Sequence, residues 1–349
     1  LPDPAGAGDR RAHRALEAQS RQGPGTGEGG ITLARRDPPL LVTIGLFGAG
    51  DAVGASQFPA MLSRRGIVNL LSDNAFLGIL AVGMTVVIVS GGIDLSVGSM
   101  AAFSAVLLAV LIRAGIPAPI AFVIALAAGC AFGALMGAAI QYLKAPAFIV
   151  TLTGLFLARG GCFLLTTESV AINDPVYAAI TGSGLSLPGG AHLSVGAMAM
   201  LAVFIGGGVL LHGTRFGTNV FAIGGDARAA ARMGAPVART VIGIYAFSGC
   251  MAALAGIVFS LYTGAGYPLA AMGIQVDPIT AVVICGTLLA GGYGGVAGSL
   301  FGVLIQGLII TYITFDGTLS SWWTKIATGA LLFIFIVLQK VLTRKEGHG

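Results

Sequence analysis

The chain has 349 residues, of which 56% are hydrophobic and only 9% are charged, and its formal net charge is +5. Its mean hydropathy of +0.91 leaves too little polar surface to cover a soluble globule, so the composition excludes an ordinary water-soluble protein. Between residues 38 and 345 the apolar runs recur with short polar joints and no long linker. We therefore predict an all-α polytopic membrane protein with a single transmembrane domain over 38–345.

Residues 1–37 have a different composition from the rest of the chain. They contain six arginines among Gly, Pro and Ala, and no apolar stretch that could cross a bilayer or form a signal-peptide core. Such a segment buries little apolar surface and tends to stay unfolded. We predict that residues 1–37 form a disordered, basic cytoplasmic leader.

About ten segments are long and apolar enough to be transmembrane helices, which need about 20 residues to cross roughly 30 Å of hydrocarbon. The eighth has only about twelve residues and is either a short crossing or a re-entrant half-helix. The predicted spans cover approximately residues 40–58, 74–90, 95–112, 119–142, 147–165, 193–211, 240–262, 278–289, 296–313 and 323–342.

The orientation follows from the positions of Lys and Arg, which favour cytoplasmic loops. Ten crossings with both termini in the cytoplasm place most of these residues inside. A re-entrant eighth segment would move Lys340, Arg344 and Lys345 outside, so ten crossings are favoured. Trp322 and Trp323 then lie at the outer interface, where amphipathic aromatic rings are expected.

The sequence lacks the common signatures of catalysis and of nucleotide or metal binding. It has no GxxxxGK[ST] phosphate loop, no HExxH and no nucleophile elbow. An intramembrane enzyme is disfavoured, because no Ser/His, paired-Asp or metal-ligand set lies at matching depth. We expect no catalytic residue, metal or cofactor in this chain, so any ATP must bind to another one. The cysteines have no CxxC spacing and are predicted to be buried free thiols: Cys130, Cys162, Cys250 and Cys285.

The longest internal cytoplasmic joint, residues 213–239, predicts a short capped helix. Gly224 and Gly225 are expected to break the chain, Asp226 to act as the N-cap, and Gly234 to end the helix. The helix either seats in a groove of a cytoplasmic partner or is an ordinary positive-inside loop with a stabilising cap. The residues expected at the contact with a partner are Gly225, Asp226, Arg228, Arg232, Met233 and Gly234.

Charges inside a membrane cost about 2.5–3.5 kcal/mol each at a helix centre, so each one is a candidate functional residue. Asp94 follows a Ser-Gly-Gly break, where its carboxylate either caps the next helix or meets a substrate hydroxyl or an arginine. Arg159 snorkels outward, pairs with a carboxylate or backbone carbonyls, or contacts substrate. The candidates for a substrate path are Asn74, Asp94, Ser96, Thr151, Thr153, Arg159 and Gln306.

Three stretches carry a resemblance to a known family: NAFLGILAVGMT and VIVSGGIDLSVGS within 74–99, FGTNVFAIGGD from Phe216, and GTLLAGG from Gly286. Over about residues 39–342 the chain resembles the permeases of ribose/xylose/galactose-type ATP-binding-cassette (ABC) importers. Residues 168–174 and 315–326 are similar to permeases of galactofuranose importers, whose membrane part combines two different permease chains.

The resemblance implies a multi-pass protein of the bacterial inner membrane that moves a monosaccharide by alternating access. It implies three protein partners: a cytoplasmic ATPase that binds ATP and Mg, a second permease chain, identical or different, and a periplasmic sugar-binding protein. The capped helix would contact the ATPase. The lipid bilayer surrounds the chain, and no nucleic-acid partner is expected. The alternative is an ion-coupled secondary transporter of a small polar solute, with Asp94 as the titrating group.

Overall fold

The computed structural model describes Gly48 and residues 63–187, 190–316 and 322–346. The predicted leader and, apart from Gly48, the predicted first span lie outside the described residues. The described chain is mostly helical, but it also has four short strands, which the all-α prediction did not include. The elements in chain order are α1 (Arg64–Asp73), α2 (Ala75–Val89), α3 (Val97–Arg113), α4 (Ala118–Tyr142), α5 (Ala147–Leu165), β1 (Val170–Ala171), α6 (Pro175–Gly182), β2 (Gly184–Leu187), β3 (Ala191–Ser194), α7 (Val195–Gly213), α8 (Arg215–Arg232), α9 (Val237–Thr263), β4 (Ala265–Gly266), α10 (Val276–Ile284), α11 (Val296–Asp316) and α12 (Trp322–Glu346).

Helix α2 forms the centre of the helical bundle. Every residue of α2 except Phe76 is buried, and the helix is apolar on all sides, which is typical of a helix surrounded by other helices. Its one polar residue, Thr85, donates a hydrogen bond to the carbonyl of Ala81, and its Oγ1 lies 2.7 Å from Oγ of Ser299 on α11. The sequence of α2 therefore suits only an interior position.

Small residues bring α4 and α9 into backbone contact. Gly129, Gly133 and Gly137 recur every four residues and so lie on one face of α4. A Cβ atom on Gly133 would lie 2.0 Å from the carbonyl oxygen of Tyr245 on α9, closer than any side chain could stand. This close approach is the usual way in which membrane helices associate, because van der Waals packing replaces the hydrophobic effect there.

The outward faces of α4 and α5 are apolar. Leu135 is 70% exposed, Phe156 67% and Leu164 90%, and a broad apolar surface of this kind suits contact with lipid. Cys130 is also exposed on α4, so its predicted burial is wrong: it lies on the outward side of a helix that is apolar all round.

Among the described residues, five helices are long and apolar enough to cross a membrane, or six if α1 and α2 form one bent span. The five are α4, α5, α7, α9 and α11. The chain is a multi-pass membrane protein. The count of ten spans and the cytoplasmic position of both termini stay predictions.

The bundle has two ends, which we name after one residue each. At the Asn74 end, Asn74 lies with Tyr262 of α9 and Lys325 of α12 around one cavity. At the Gly224 end, Gly224 of α8 packs on Val89, the last residue of α2. Both strand pairs, β1 with β4 and β2 with β3, lie in connections that join helices at the Asn74 end.

The eighth predicted span, residues 278–289, is a discontinuous segment. Its helix α10 has nine residues, which rise only about 14 Å and cannot cross a bilayer alone. Asp277 at its start pairs with Lys325, whereas the N–H of Gly292 beyond its end donates to Val89. The segment therefore runs from the cavity at the Asn74 end to the Gly224 end, partly as helix and partly as non-helical chain.

The glycines that follow α10 serve turns as well as packing. Gly291 and Gly292 have φ angles of 86° and 78°, in the left-handed region that glycine favours, so they shape the non-helical part of the segment. Gly302 on α11 is a packing residue, since a Cβ there would lie 2.0 Å from the carbonyl oxygen of Ala281.

Candidate functional site

The predicted cap at Asp226 is confirmed by its hydrogen bonds. Helix α8 kinks at this residue, whose φ of −159° and ψ of 106° are not helical. The carboxylate accepts hydrogen bonds from the N–H of Arg228, at 2.7 Å, and of Ala229, at 3.1 Å. The N–H groups of Ala229 and Arg228 also hold the pKa of Asp226 below its usual range, so the carboxylate stays charged. Asp226 thus starts a new short helix within α8.

The short helix after Asp226 presents a basic, partly apolar surface to its surroundings. Arg228 and Arg232 lie one turn apart and both are exposed. The helix ends at Arg232; its C-cap residue, Met233, is 77% exposed, and Gly234 follows with a φ of 86°. This is the predicted surface for a partner, although the loop over 213–239 is helical over most of its length, more than the sequence indicated.

The first part of α8 is joined to the transmembrane bundle through Gly224. A Cβ atom on Gly224 would lie 1.9 Å from the carbonyl oxygen of Val89 and 2.5 Å from the nitrogen of Gly292. The prediction that Gly224 and Gly225 break the chain is wrong, because both are helical and the break falls on Asp226. Gly224 instead allows three backbone segments to meet: α8, the end of α2 and the chain after α10.

The break between α2 and α3 is fixed by the fully buried Asp94. One carboxylate oxygen accepts from the N–H and the hydroxyl of Ser96, at 2.9 and 2.6 Å, and the other accepts from the hydroxyl of Ser248 on α9, at 2.7 Å. Helix α3 begins at Val97 with Ser96 as its N-cap, so Asp94 lies just before the helix and not at the predicted cap position. Its side chain turns toward α9, where Ser248 supplies a donor.

The candidate residues of α5 lie in different surroundings. Thr151 donates to the carbonyl of Ala147 and lies 3.3 Å from that of Ile93, next to the break before α3. Thr153 is exposed and bonds to the carbonyl of Ile149 within its own helix. The hydroxyl groups of Thr151 and Thr153 therefore both have a hydrogen-bond acceptor within the protein.

Arg159 secures the chain between β4 and α10. Its guanidinium donates to the carbonyls of Pro268 and, at 2.8 Å, of Ala270, with Ala271 at 3.5 Å. Of the alternatives for Arg159, the structure favours backbone carbonyls as its partners. The arginine holds the non-helical approach to α10 in place.

A cavity of about 510 Å³ lies at the Asn74 end, among α1, α2, α9, α10, α11 and α12. It brings two candidates together, Asn74 and Gln306, but not Asp94, Ser96, Thr151, Thr153 or Arg159. Its main polar lining residues are Asp73, Asn74, Tyr262, Asp277, Gln306 and Lys325.

The charged residues of this cavity were missed by the sequence analysis. Asp277 and Lys325 form an ion pair at 2.9 Å that connects the start of α10 to the first turns of α12. Asp73 interacts with the Tyr262 hydroxyl. The three charged residues lie near the ends of predicted spans, where charges look like ordinary loop residues, so only their spatial convergence identifies them.

The fold and these sites define a multi-pass helical membrane protein with discontinuous segments and a capped surface helix, features of transport proteins. Residues 66–336 match the family described as "Branched-chain amino acid transport system / permease component". The chain is 56% identical over 312 residues to the inner membrane ABC transporter permease protein YjfF of Escherichia coli (strain K12), covering 89% of this chain and 94% of the relative.

Two further relatives are named for sugars. The chain is 36% identical over 324 residues to the fructose import permease protein FruG of Bifidobacterium longum (strain NCC 2705), covering 91% of this chain and 95% of the relative. It is 35% identical over 285 residues to the ribose import permease protein RbsC of Bacillus subtilis (strain 168), covering 81% and 87%. No solved structure matches the chain. The chain belongs to this family of ABC transporter permeases, on the branch of the sugar importers.

Proposed function

We propose that this chain is the transmembrane subunit of a bacterial inner-membrane importer that brings a monosaccharide into the cytoplasm by alternating access. A separate ATPase, which binds ATP and Mg, supplies the energy, a second permease chain completes the path, and a periplasmic binding protein delivers the sugar. Galactofuranose is the first sugar to test, because residues 168–174 and 315–326 resemble permeases of galactofuranose importers.

The observation that carries this proposal is the junction at the Gly224 end. The exposed helix after Asp226 is continuous, through one kink, with the part of α8 that packs on Val89 and Gly292. A partner that displaces this helix would therefore also displace the end of α2 and the chain after α10, because close-packed interiors transmit displacement. We infer that the ATPase contacts Arg228, Arg232 and Met233.

Family membership and the Asp94 geometry support this proposal over ion-coupled transport. Asp94 accepts three hydrogen bonds from neutral donors of Ser96 and Ser248. These hydrogen bonds give Asp94 a structural role, because they stabilise the break between α2 and α3 against α9. A titrating group in an ion path would instead face a water-filled cavity or another charge.

The test combines purification and uptake. The tagged chain is purified in mild detergent with whatever binds it, and the co-purifying proteins are identified by mass spectrometry. We expect an ABC ATPase, with either a second permease or this chain alone, which distinguishes a heteromeric from a homomeric importer. Uptake of radiolabelled sugar into vesicles should depend on the ATP concentration and should persist when an uncoupler is added. Loss of uptake on addition of an uncoupler, at a constant ATP concentration, would favour the secondary transporter.

The contact with the ATPase is tested by the double variant Arg228→Glu, Arg232→Glu. We expect ATP hydrolysis to continue while sugar uptake falls at least tenfold, because charge reversal weakens the docking of the helix but leaves the membrane bundle unchanged. The double variant Arg228→Lys, Arg232→Lys keeps the charge and serves as the control. Normal uptake per ATP in the glutamate variant would contradict the assignment.

A further inference from the structure

We propose that the ion pair of Asp277 and Lys325 is the latch of a gate at the Asn74 end: it holds α12 against α10 in this conformation and releases it during transport. This inference rests on the proposed function, because alternating access requires each end of the path to open and close in turn. Since the ATPase is proposed to bind at the Gly224 end, the gate at the Asn74 end faces the periplasm.

The segment that contains α10 connects the two ends of the bundle. At the Gly224 end, the nitrogen of Gly292 lies 2.5 Å from the position of a Cβ atom on Gly224 of α8. At the Asn74 end, Asp277 in the first turn of α10 pairs with Lys325 of α12 at 2.9 Å. Residues 278–284 between these contacts are all buried, so α10 transmits a displacement to its neighbours. A movement of α8 therefore has a packed route to α12, and the ion pair lies where this route reaches α12.

The chain before α10 combines an anchor with a hinge. Arg159 of α5 donates to the carbonyls of Pro268 and Ala270 and so fixes this part of the chain. Gly273 follows, with a φ of 74° and nothing within 4 Å of an added Cβ atom. Glycine permits unusual backbone angles, and hinges are a few loop residues that absorb changes in φ and ψ. Helix α10 can therefore tilt at Gly273 while Arg159 keeps the preceding turn on α5.

Helix α12 has few other attachments in its first turns. Its main packing partners among the described residues are α10 and α11. The side chains of Trp322, Trp323 and Ile326 are exposed, so they do not fix α12 to the bundle. The ion pair is thus a principal polar contact between the first turns of α12 and the rest of the described chain.

The environment of the ion pair allows it to open. The side chain of Asp277 is 16% exposed and that of Lys325 is 44% exposed. Partly exposed ion pairs contribute little net stability, because water also solvates the separated charges. Both residues line the cavity of about 510 Å³, which gives α10 and α12 room to shift that a close-packed interior would deny them. The pair can therefore break and form again in each transport cycle.

A cysteine in the cavity wall reports whether the gate is open. Thr328 of α12 lines the cavity and is buried, so Thr328→Cys should react with a membrane-impermeant maleimide only when α12 moves away from its neighbours. Labelling is measured on the permease–ATPase complex in nanodiscs. Peptide mass spectrometry distinguishes this thiol from the four native cysteines. Ser104→Cys on α3 is the matched control, because Ser104 is also buried but does not line the cavity.

We expect Lys325→Asp, which places two carboxylates side by side, to raise the labelling rate of Thr328→Cys about tenfold. The exchange Asp277→Lys with Lys325→Asp restores an ion pair and should return the rate to within about twofold of that with the native pair. Labelling of Ser104→Cys should stay the same in all three backgrounds. Equal labelling of Thr328→Cys with the native pair and with Lys325→Asp, or no recovery on charge exchange, would overturn the latch.

Transport shows whether the latch must open. The double variant Asp277→Cys, Lys325→Cys is joined by a short, reducible bis-methanethiosulfonate cross-linker, and the link is verified by peptide mass spectrometry. We expect ATP-driven sugar uptake in proteoliposomes of the complete importer to fall at least tenfold on cross-linking and to recover on reduction. The two single cysteine variants cannot form the link, so the reagent should cause no such loss in them. Undiminished uptake by the cross-linked importer would contradict the proposal.

The two measurements distinguish the latch from the proposed function. Labelling depends on the ion pair and needs no substrate. Labelling that follows the ion pair, in a complex without ATP-driven sugar uptake, would support the latch and overturn the proposed function. ATP-driven uptake together with labelling that is independent of the ion pair would support the proposed function and overturn the latch.

Discussion

Replacing Gly224 with alanine tests whether α8 is mechanically joined to the membrane bundle. The added Cβ atom would lie 1.9 Å from the carbonyl oxygen of Val89 and 2.5 Å from the nitrogen of Gly292. Side-chain atoms do not approach other atoms within 3.0 Å, so α8 and α2 must separate by about 1 Å in a close-packed region. The hydrogen bond from Gly292 to Val89, 2.8 Å long, would be disturbed at the same time.

The expected cost follows from the kind of atoms that clash. Overpacking a well-packed region costs about 1–3 kcal/mol, and the upper part of this range applies because the atoms in contact belong to the backbone and cannot change rotamer. The gain in helix propensity from glycine to alanine, at most about 1 kcal/mol, offsets only part of this cost. We expect a net loss of about 1–2 kcal/mol and reduced uptake per ATP hydrolysed.

Gly225→Ala is the matched control for this variant. Gly225 is the next residue of the same helix, and nothing lies within 4 Å of a Cβ atom added to it. It should therefore keep or slightly raise the melting temperature, measured on the detergent-purified complex by fluorescence-detected size exclusion after heating. Equal melting temperatures and equal uptake for the two alanine variants would refute the close contact and the coupling route built on it.

Two further predictions concern the buried and the exposed aspartate. Asp94→Ala removes the acceptor of the Ser96 and Ser248 hydroxyls, each left unsatisfied at about 1–3 kcal/mol, so membrane abundance and melting temperature should fall; normal values for both would leave Asp94 without the proposed structural role. Asp226→Ala should raise amide hydrogen exchange in residues 227–232 roughly fivefold through loss of the cap, and unchanged exchange would count against the cap. Because the pKa of Asp226 is lowered in the folded chain, its stabilising contribution is present above the ordinary carboxyl pKa of about 3.9 and is lost as pH falls through the lower folded value, so the wild type should approach the variant's exchange only in acid.

The sequence predicted several local features correctly, because each depends on residues close together in the chain. The apolar segments, the N-cap at Asp226 and the interruption around Asp94 are of this kind. Where local rules competed with packing, prediction failed. Gly224 looks like a helix breaker, yet it is helical. Glycine is needed at this position because any side chain would clash with the carbonyl oxygen of Val89.

The candidate sites show the same limit. Sequence reasoning selected polar residues within spans, but it could not group them, because residues far apart in sequence meet only through helix packing. The structure brings Asn74 and Gln306 to one cavity and places Asp94 elsewhere. The ion pair of Asp277 and Lys325 joins residues that are 48 positions apart, so no local pattern indicates it.

By itself the sequence determined that this chain is a helical membrane protein of the ABC permease type. The length of the apolar segments and the short motifs are local properties, because each depends only on residues that are close together in the chain. Only the tertiary structure decided how the eighth segment runs, which glycines are contacts and which are turns, and which polar groups share a cavity. Those features depend on the distances between helices. Such distances are set by the simultaneous packing of many side chains, which no single segment of the sequence contains.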